Sequence, residues 1–145
     1  MKIRDILQKK GNAIYTVAPE LMLSQAIALL CEKRIGAVLV VDSQNKPAGI
    51  LSERDILRQC NLRTNLDTTP VSAAMSSNLV IGLLDDSIER IMNVLTEKHI
   101  RHLPILSEGN KIEGMVSIGD VVSALRDERE DEILYLRDYM GGNYR

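Results

Sequence analysis

The chain has 145 residues, with 18 Lys+Arg against 20 Asp+Glu, a formal net charge of -2, and 45% hydrophobic and 26% charged residues. That mix excludes a disordered chain, and balanced charge with only 3% aromatic residues argues against a basic or base-stacking nucleic-acid binder. Cys31 and Cys60 lack metal-ligand spacing and cannot make a disulfide scaffold, while the longest apolar runs are too short to cross a bilayer, so a cytoplasmic chain with no membrane segment is expected.

In chain order, Met1 to Lys10 reads as a lead-in segment, and Ile14 to Val17 as a short strand closed by Ala18-Pro19. Leu23, Ile27, Leu30 and Cys31 recur at helical spacing, which makes Cys31 a core residue. Ala37 to Val41 reads as a buried strand, residues 42–47 as a turn, and Gly49-Ile50-Leu51 as the hairpin partner. Ser52 opens a second helix through Ile56 and Leu57. Asn61 to Pro70 is a polar linker, and Val71 to Ser76 a second lead-in segment. The pattern then returns as strand 79–82, helix 86–98, strand 103–106, turn 107–111, strand 112–116 and a helix from Ser117. Arg126 to Met140 is charged and helical in pattern, with Ile133, Leu136 and Met140 as an apolar stripe and Gly141-Gly142 as its end.

The return is a duplication. Shifted by 65 residues, positions 22–57 match 87–122 without a gap, and nine of 36 are identical, against roughly two for unrelated segments. The lead-in segments lie three residues out of that register. Each unit reads strand-helix-strand-strand-helix, and two copies suggest a pseudo-symmetric pair in which each half covers the other's apolar face.

The same pattern closes each unit: Gly-Ile-Leu-Ser-Glu-Arg-Asp at 49–55 and Gly-Met-Val-Ser-Ile-Gly-Asp at 114–120. A Ser at a helix start leaves free backbone N–H groups that attract phosphate. An Asp one turn later can accept two hydrogen bonds from vicinal ribose hydroxyls. Ser-x-x-Asp is equally a helix capping box, and the two roles are compatible.

With Arg101-His102-Leu103-Pro104-Ile105 in the second unit, this arrangement closely resembles tandem CBS-domain proteins, the Bateman module of nucleotide-sensing proteins. The resemblance covers nearly the whole chain and implies an α+β fold: two βαββα units packed sheet to sheet about a pseudo-twofold axis. It divides the chain into units at 1–66 and 67–126, with a C-terminal helix and tail at 127–145. It further implies two clefts for adenosine nucleotides, AMP first, then ADP, ATP or NAD(H), as regulatory ligands with no cofactor required. Asp55 and Asp120 would hold ribose hydroxyls, and Ser52 and Ser117 would lie near ribose or phosphate. Thr16, Val17 and Ala18, with Val80, Ile81, Leu103 and Pro104, would sandwich adenine, and Arg101 and His102 would meet phosphate.

The units differ where such a ligand would notice. Gly36-Ala37 stands where the second unit has Arg101-His102, and Ile118-Gly119 where the first has Glu53-Arg54. The clefts should therefore differ in affinity, while the sequence leaves open which of them Arg54, Arg101 and His102 serve. His99 and His102 lack the partners of a metal site, and no catalytic triad or phosphate-binding glycine loop occurs. The expectation is a non-enzymatic sensor, a homodimer through its C-terminal helix, that signals to a separate protein. The rival is a dimerisation or adaptor module in which both Ser-x-x-Asp segments only cap helices.

Overall fold

The computed structural model describes residues 1–11 and 13–140. In chain order the elements are α1 (Ile3–Lys10), β1 (Thr16–Val17), α2 (Leu23–Lys33), β2 (Ala37–Val41), β3 (Pro47–Ser52), α3 (Glu53–Asn61), α4 (Val71–Ala74), β4 (Gly82–Leu83), α5 (Ile88–Glu97), β5 (His102–Ser107), β6 (Lys111–Ser117) and α6 (Ile118–Tyr139). They build two mixed sheets, β1-β2-β3 and β4-β5-β6, each with one parallel and one antiparallel pair.

The repeat holds down to its irregularities. The hairpin register shifts between Val40 and Val41, and again 65 residues later between Ile105 and Leu106. Asn45 and Asn110 both turn through the left-handed region, at φ 61° and 60°, which a short polar side chain tolerates. Gly82 takes the position of Val17, beside larger neighbours. Leu103 and Ile105 replace Val38 and Val40, and a Cβ at Gly82 would stand 2.9 Å from both of them.

Strand β2 is buried on both faces. Val38 and Val40 enter a core with Leu23, Ala26, Leu30 and Leu51, while Ala37 and Leu39, on the opposite face, are equally buried. Strand β5 does the same: Leu103 and Ile105 join Ile88, Ile91 and Leu95 in a second core, and Pro104 is buried on the other side. A strand covered twice needs a second layer. The other unit's sheet supplies it, which gives the sheet-to-sheet pair.

The two lead-in helices are exchanged between the cores. Ile3, Ile6 and Leu7 of α1 complete the second core, and Val71 and Ala74 of α4 complete the first. Lys2 bridges Ser87 and Met22 bridges Pro70, so each lead-in helix is pinned at the start of the core helix it covers. The linker is docked as well: the Leu23 and Ser24 N–H groups donate to the Thr69 and Leu66 carbonyls at 2.9 and 3.0 Å.

Three expectations shift. The strands expected at 14–17 and 79–82 reduce to Thr16–Val17 and Gly82–Leu83, because only two residues of each reach a parallel partner. Cys31 is exposed, not core: Leu23, Ala26 and Leu30 define the buried stripe of α2, and the next residue turns about 100° away from it. The segment from Arg126 continues the helix begun at Ile118, and residues 131–140 are all exposed. Gly141-Gly142 lies outside the described residues.

Candidate functional site

In both closing segments the Ser becomes the residue that caps a helix, and the Asp sits three places on, with its carboxylate folded back. Asp55 Oδ2 accepts from the Ser52 backbone N–H at 2.8 Å and from its hydroxyl at 3.1 Å. Asp120 Oδ2 accepts from the Ser117 N–H at 2.9 Å, and Ser117 Oγ accepts from the Asp120 N–H at 3.1 Å. Capping is therefore present in both units. What distinguishes them is what else surrounds each carboxylate.

Around Asp55 lies a cleft of about 620 Å³ between the units. Ile50 and Ser52, on the sheet face turned toward the other unit, form its floor with Pro104. Arg54, Asp55 and Arg58 project from the first turns of α3, while Val80, Arg101 and His102 come from the second unit. Asp55 is only 7% exposed, with Arg58 Nη1 at 3.3 Å from its second oxygen. Arg54 reaches across the boundary and donates to the His99 carbonyl at 3.1 Å. Gly36 lets the units approach closely here. A Cβ on it would lie 3.2 Å from the His102 ring and run into the Glu53 carboxylate. Burial holds the His102 imidazole below its ordinary 6.5; Glu53 and Asp120 pull it up, and Lys10 and Arg101 push it further down. The site thus sets the buried Asp55 and the exposed Glu53 carboxylates against three arginines and a neutral histidine.

Asp120 has a different neighbour. Lys10 Nζ, from the last turn of α1, donates to its Oδ2 at 2.6 Å and to the Met115 carbonyl at 2.9 Å. Burial alone would raise the Asp120 carboxyl, but the Lys10 and Ser117 hydrogen bonds outweigh it and leave the group below its ordinary 3.8. The adjoining groove, of about 490 Å³, runs between α1 and α6 past Asp120, Ser123 and Asp127.

Of the residues expected to bind, this structure gathers Ser52, Arg54, Asp55, Val80, Arg101, His102 and Pro104 in one cleft. Arg54, Arg101 and His102 therefore face a single space. Thr16, Val17, Ala18, Ile81, Leu103, Ser117 and Asp120 lie outside it. Val17 and Leu103 point into the two cores, since alternation along a strand sends them to the face opposite the cleft. Thr16, Ala18 and Ile81 are exposed at the strand ends. Sequence reasoning missed Arg58, although its place one turn after Asp55 on the same helix was a usable signal. It also missed Lys10, which no local pattern links to Asp120.

Among the described residues, no group of three or more His, Cys, Asp or Glu is placed to hold a metal ion, and no helix is long and apolar enough to cross a membrane. A CBS-domain family model matches residues 3–61 and again 71–127. A CBS domain-containing protein of Bacillus subtilis is 33% identical over 108 residues, which cover 74% of this chain and 76% of that protein. The crystal structure of a CBS-domain protein from Agrobacterium tumefaciens, 32% identical, superposes with a TM-score of 0.80 over 85% of this chain and 92% of that one. A CBS domain protein from Pyrobaculum aerophilum, solved in complex with AMP, shares the fold at 22% identity and a TM-score of 0.76, over 83% of this chain and 89% of that one. Two family matches that fall on the two halves of an internal repeat, each ending in its own Ser-capped helix, place the chain in the CBS-domain family as a tandem pair.

Proposed function

We propose that the chain is a non-catalytic regulatory module of the cytoplasm that takes an adenosine nucleotide, AMP first, in the cleft around Asp55 and signals to a separate protein. The observation that carries this reading is the cleft itself: the buried Asp55 carboxylate comes to it with Arg54 from one unit, and Arg101 and His102 come from the other. Its 620 Å³ lies within the range of small-ligand sites. The cationic set favours a phosphate-bearing ligand over S-adenosylmethionine, whose sulfonium would add a like charge. Asp55 would hold the ribose and Ser52 the ribose-phosphate edge. Val80 and Pro104 would face adenine, and the three basic residues the phosphate. A ligand that touches both units changes how they pack, and it regulates only through its unequal affinity for the two packings.

A thermal-shift series with AMP, ADP, ATP, NADH and S-adenosylmethionine tests the reading. AMP at about 100 times its dissociation constant should add about 2.7 kcal/mol of stability. No shift with any of them contradicts it and favours the adaptor reading. The end of α6 supplies the pairing surface for a homodimer, with Ile133, Leu136 and Met140 at 44%, 49% and 70% exposure. Sedimentation at micromolar concentration should give twice the 16.2 kDa chain mass, and a particle of chain mass would contradict it.

A further inference from the structure

Resting on that reading of function, we infer that Lys10 fixes how many nucleosides the chain holds, because its ammonium group fills the acidic position that a second ribose would need. The two lead-in helices begin alike, capped by Lys2 and Pro70 and pinned to equivalent places. They end differently. Helix α4 stops at Ala74, and the chain then extends so that Ser76 pairs with Ile50 in both directions at 2.9 Å. That extended segment walls the open cleft with Met75, Ser76 and Asn78. Helix α1 continues for another turn to Lys10. Gln8, the counterpart of Ser76, is helical, and Met115, the counterpart of Ile50, gives its carbonyl to Lys10 Nζ at 2.9 Å. The same ammonium holds Asp120 at 2.6 Å. A ribose would have to displace this short contact from Oδ2, whereas at Asp55 it would meet the Ser52 hydroxyl on Oδ2 at 3.1 Å and the largely exposed Arg58 on Oδ1 at 3.3 Å.

The second position also lacks a phosphate site of its own. Gly119, Gly36 and Ala37 stand where the first cleft has Arg54, Arg101 and His102. Freed of Lys10, it fits the nucleoside part of the ligand, so adenosine is the appropriate probe.

Equilibrium dialysis of the full chain with labelled adenosine and with labelled AMP makes the test. Wild type should hold one AMP per chain. Lys10→Met, which keeps the aliphatic stem, and Lys10→Ala should each hold one more adenosine per chain than wild type. The extra molecule should survive Asp55→Ala and vanish with Asp120→Ala. Equal adenosine counts in wild type and both Lys10 variants would overturn the inference, as would two molecules of AMP on wild type that fall to one in Lys10→Met. Wild type that takes up AMP while the Lys10 variants gain nothing sinks this inference alone. No uptake of AMP by wild type sinks the reading of function beneath it.

Discussion

Around Asp55 the duplicated fold brings three arginines and a histidine to an open cleft. Around Asp120, 65 residues further on, the same backbone positions carry small or apolar side chains, and the cation that holds the carboxylate, Lys10, comes from α1. Both carboxylates cap their helices with nearly the same geometry, at 2.8 and 2.9 Å. The comparison separates two layers of information. Apolar alternation and the cap fix the backbone in both units, and a handful of polar positions makes the surroundings of the two carboxylates different.

The largest expected effect breaks the symmetry of the cores. Ile3 is fully buried in the second core although it lies near the chain's start. Ile3→Ala should cost about 2–5 kcal/mol by denaturant unfolding. Hydrogen exchange should then show protection lost first in α5, not α2; loss confined to α2 would contradict the exchange of lead-in helices. Next comes the acidic pair. Asp55→Ala should weaken AMP binding by about 1–3 kcal/mol, read by calorimetry, while Asp120→Ala leaves it nearly unchanged. Equal losses would erase the distinction between clefts. Arg101→Ala should weaken AMP about tenfold and adenosine hardly at all, since the guanidinium is exposed and its target is the phosphate.

The smallest effects concern protons. His102 sits below its ordinary 6.5, so it is neutral at pH 7, and a phosphate beside it should draw a proton on binding. Calorimetry near pH 6.5 in buffers of different ionisation enthalpy should show proton uptake that His102→Gln reduces. Asp120 is depressed below 3.8, so its pair with Lys10 stabilises the fold above that pH, and the contribution is lost as pH falls through the folded value. Wild type and Lys10→Met should therefore differ in stability at neutral pH and converge in acid.

Much of the fold was legible because it is written locally and twice. The 65-residue repeat, the hairpins, and the Ser-capped helices at 52 and 117 all follow from spacing and turn chemistry. Part of the open cleft was legible too, in Ser52, Arg54, Asp55, Val80, Arg101, His102 and Pro104. What was hidden depends on contacts between distant residues. Nothing near Ile3 says that its partners are Ile88 and Ile91, and nothing near Lys10 names Asp120, 110 residues away. Cys31 misled for a geometric reason: the buried stripe of α2 runs through Leu23, Ala26 and Leu30, and the residue after Leu30 turns about 100° away from it.

The proposed nucleotide site is a single cleft, the one around Asp55. A crystal structure of the full chain grown with AMP tests it most directly. It should hold a single AMP per chain, ribose on Asp55 and phosphate among Arg54, Arg101 and His102, with Lys10 still on Asp120. AMP seated on Asp120, or no AMP in either cleft, would contradict the account.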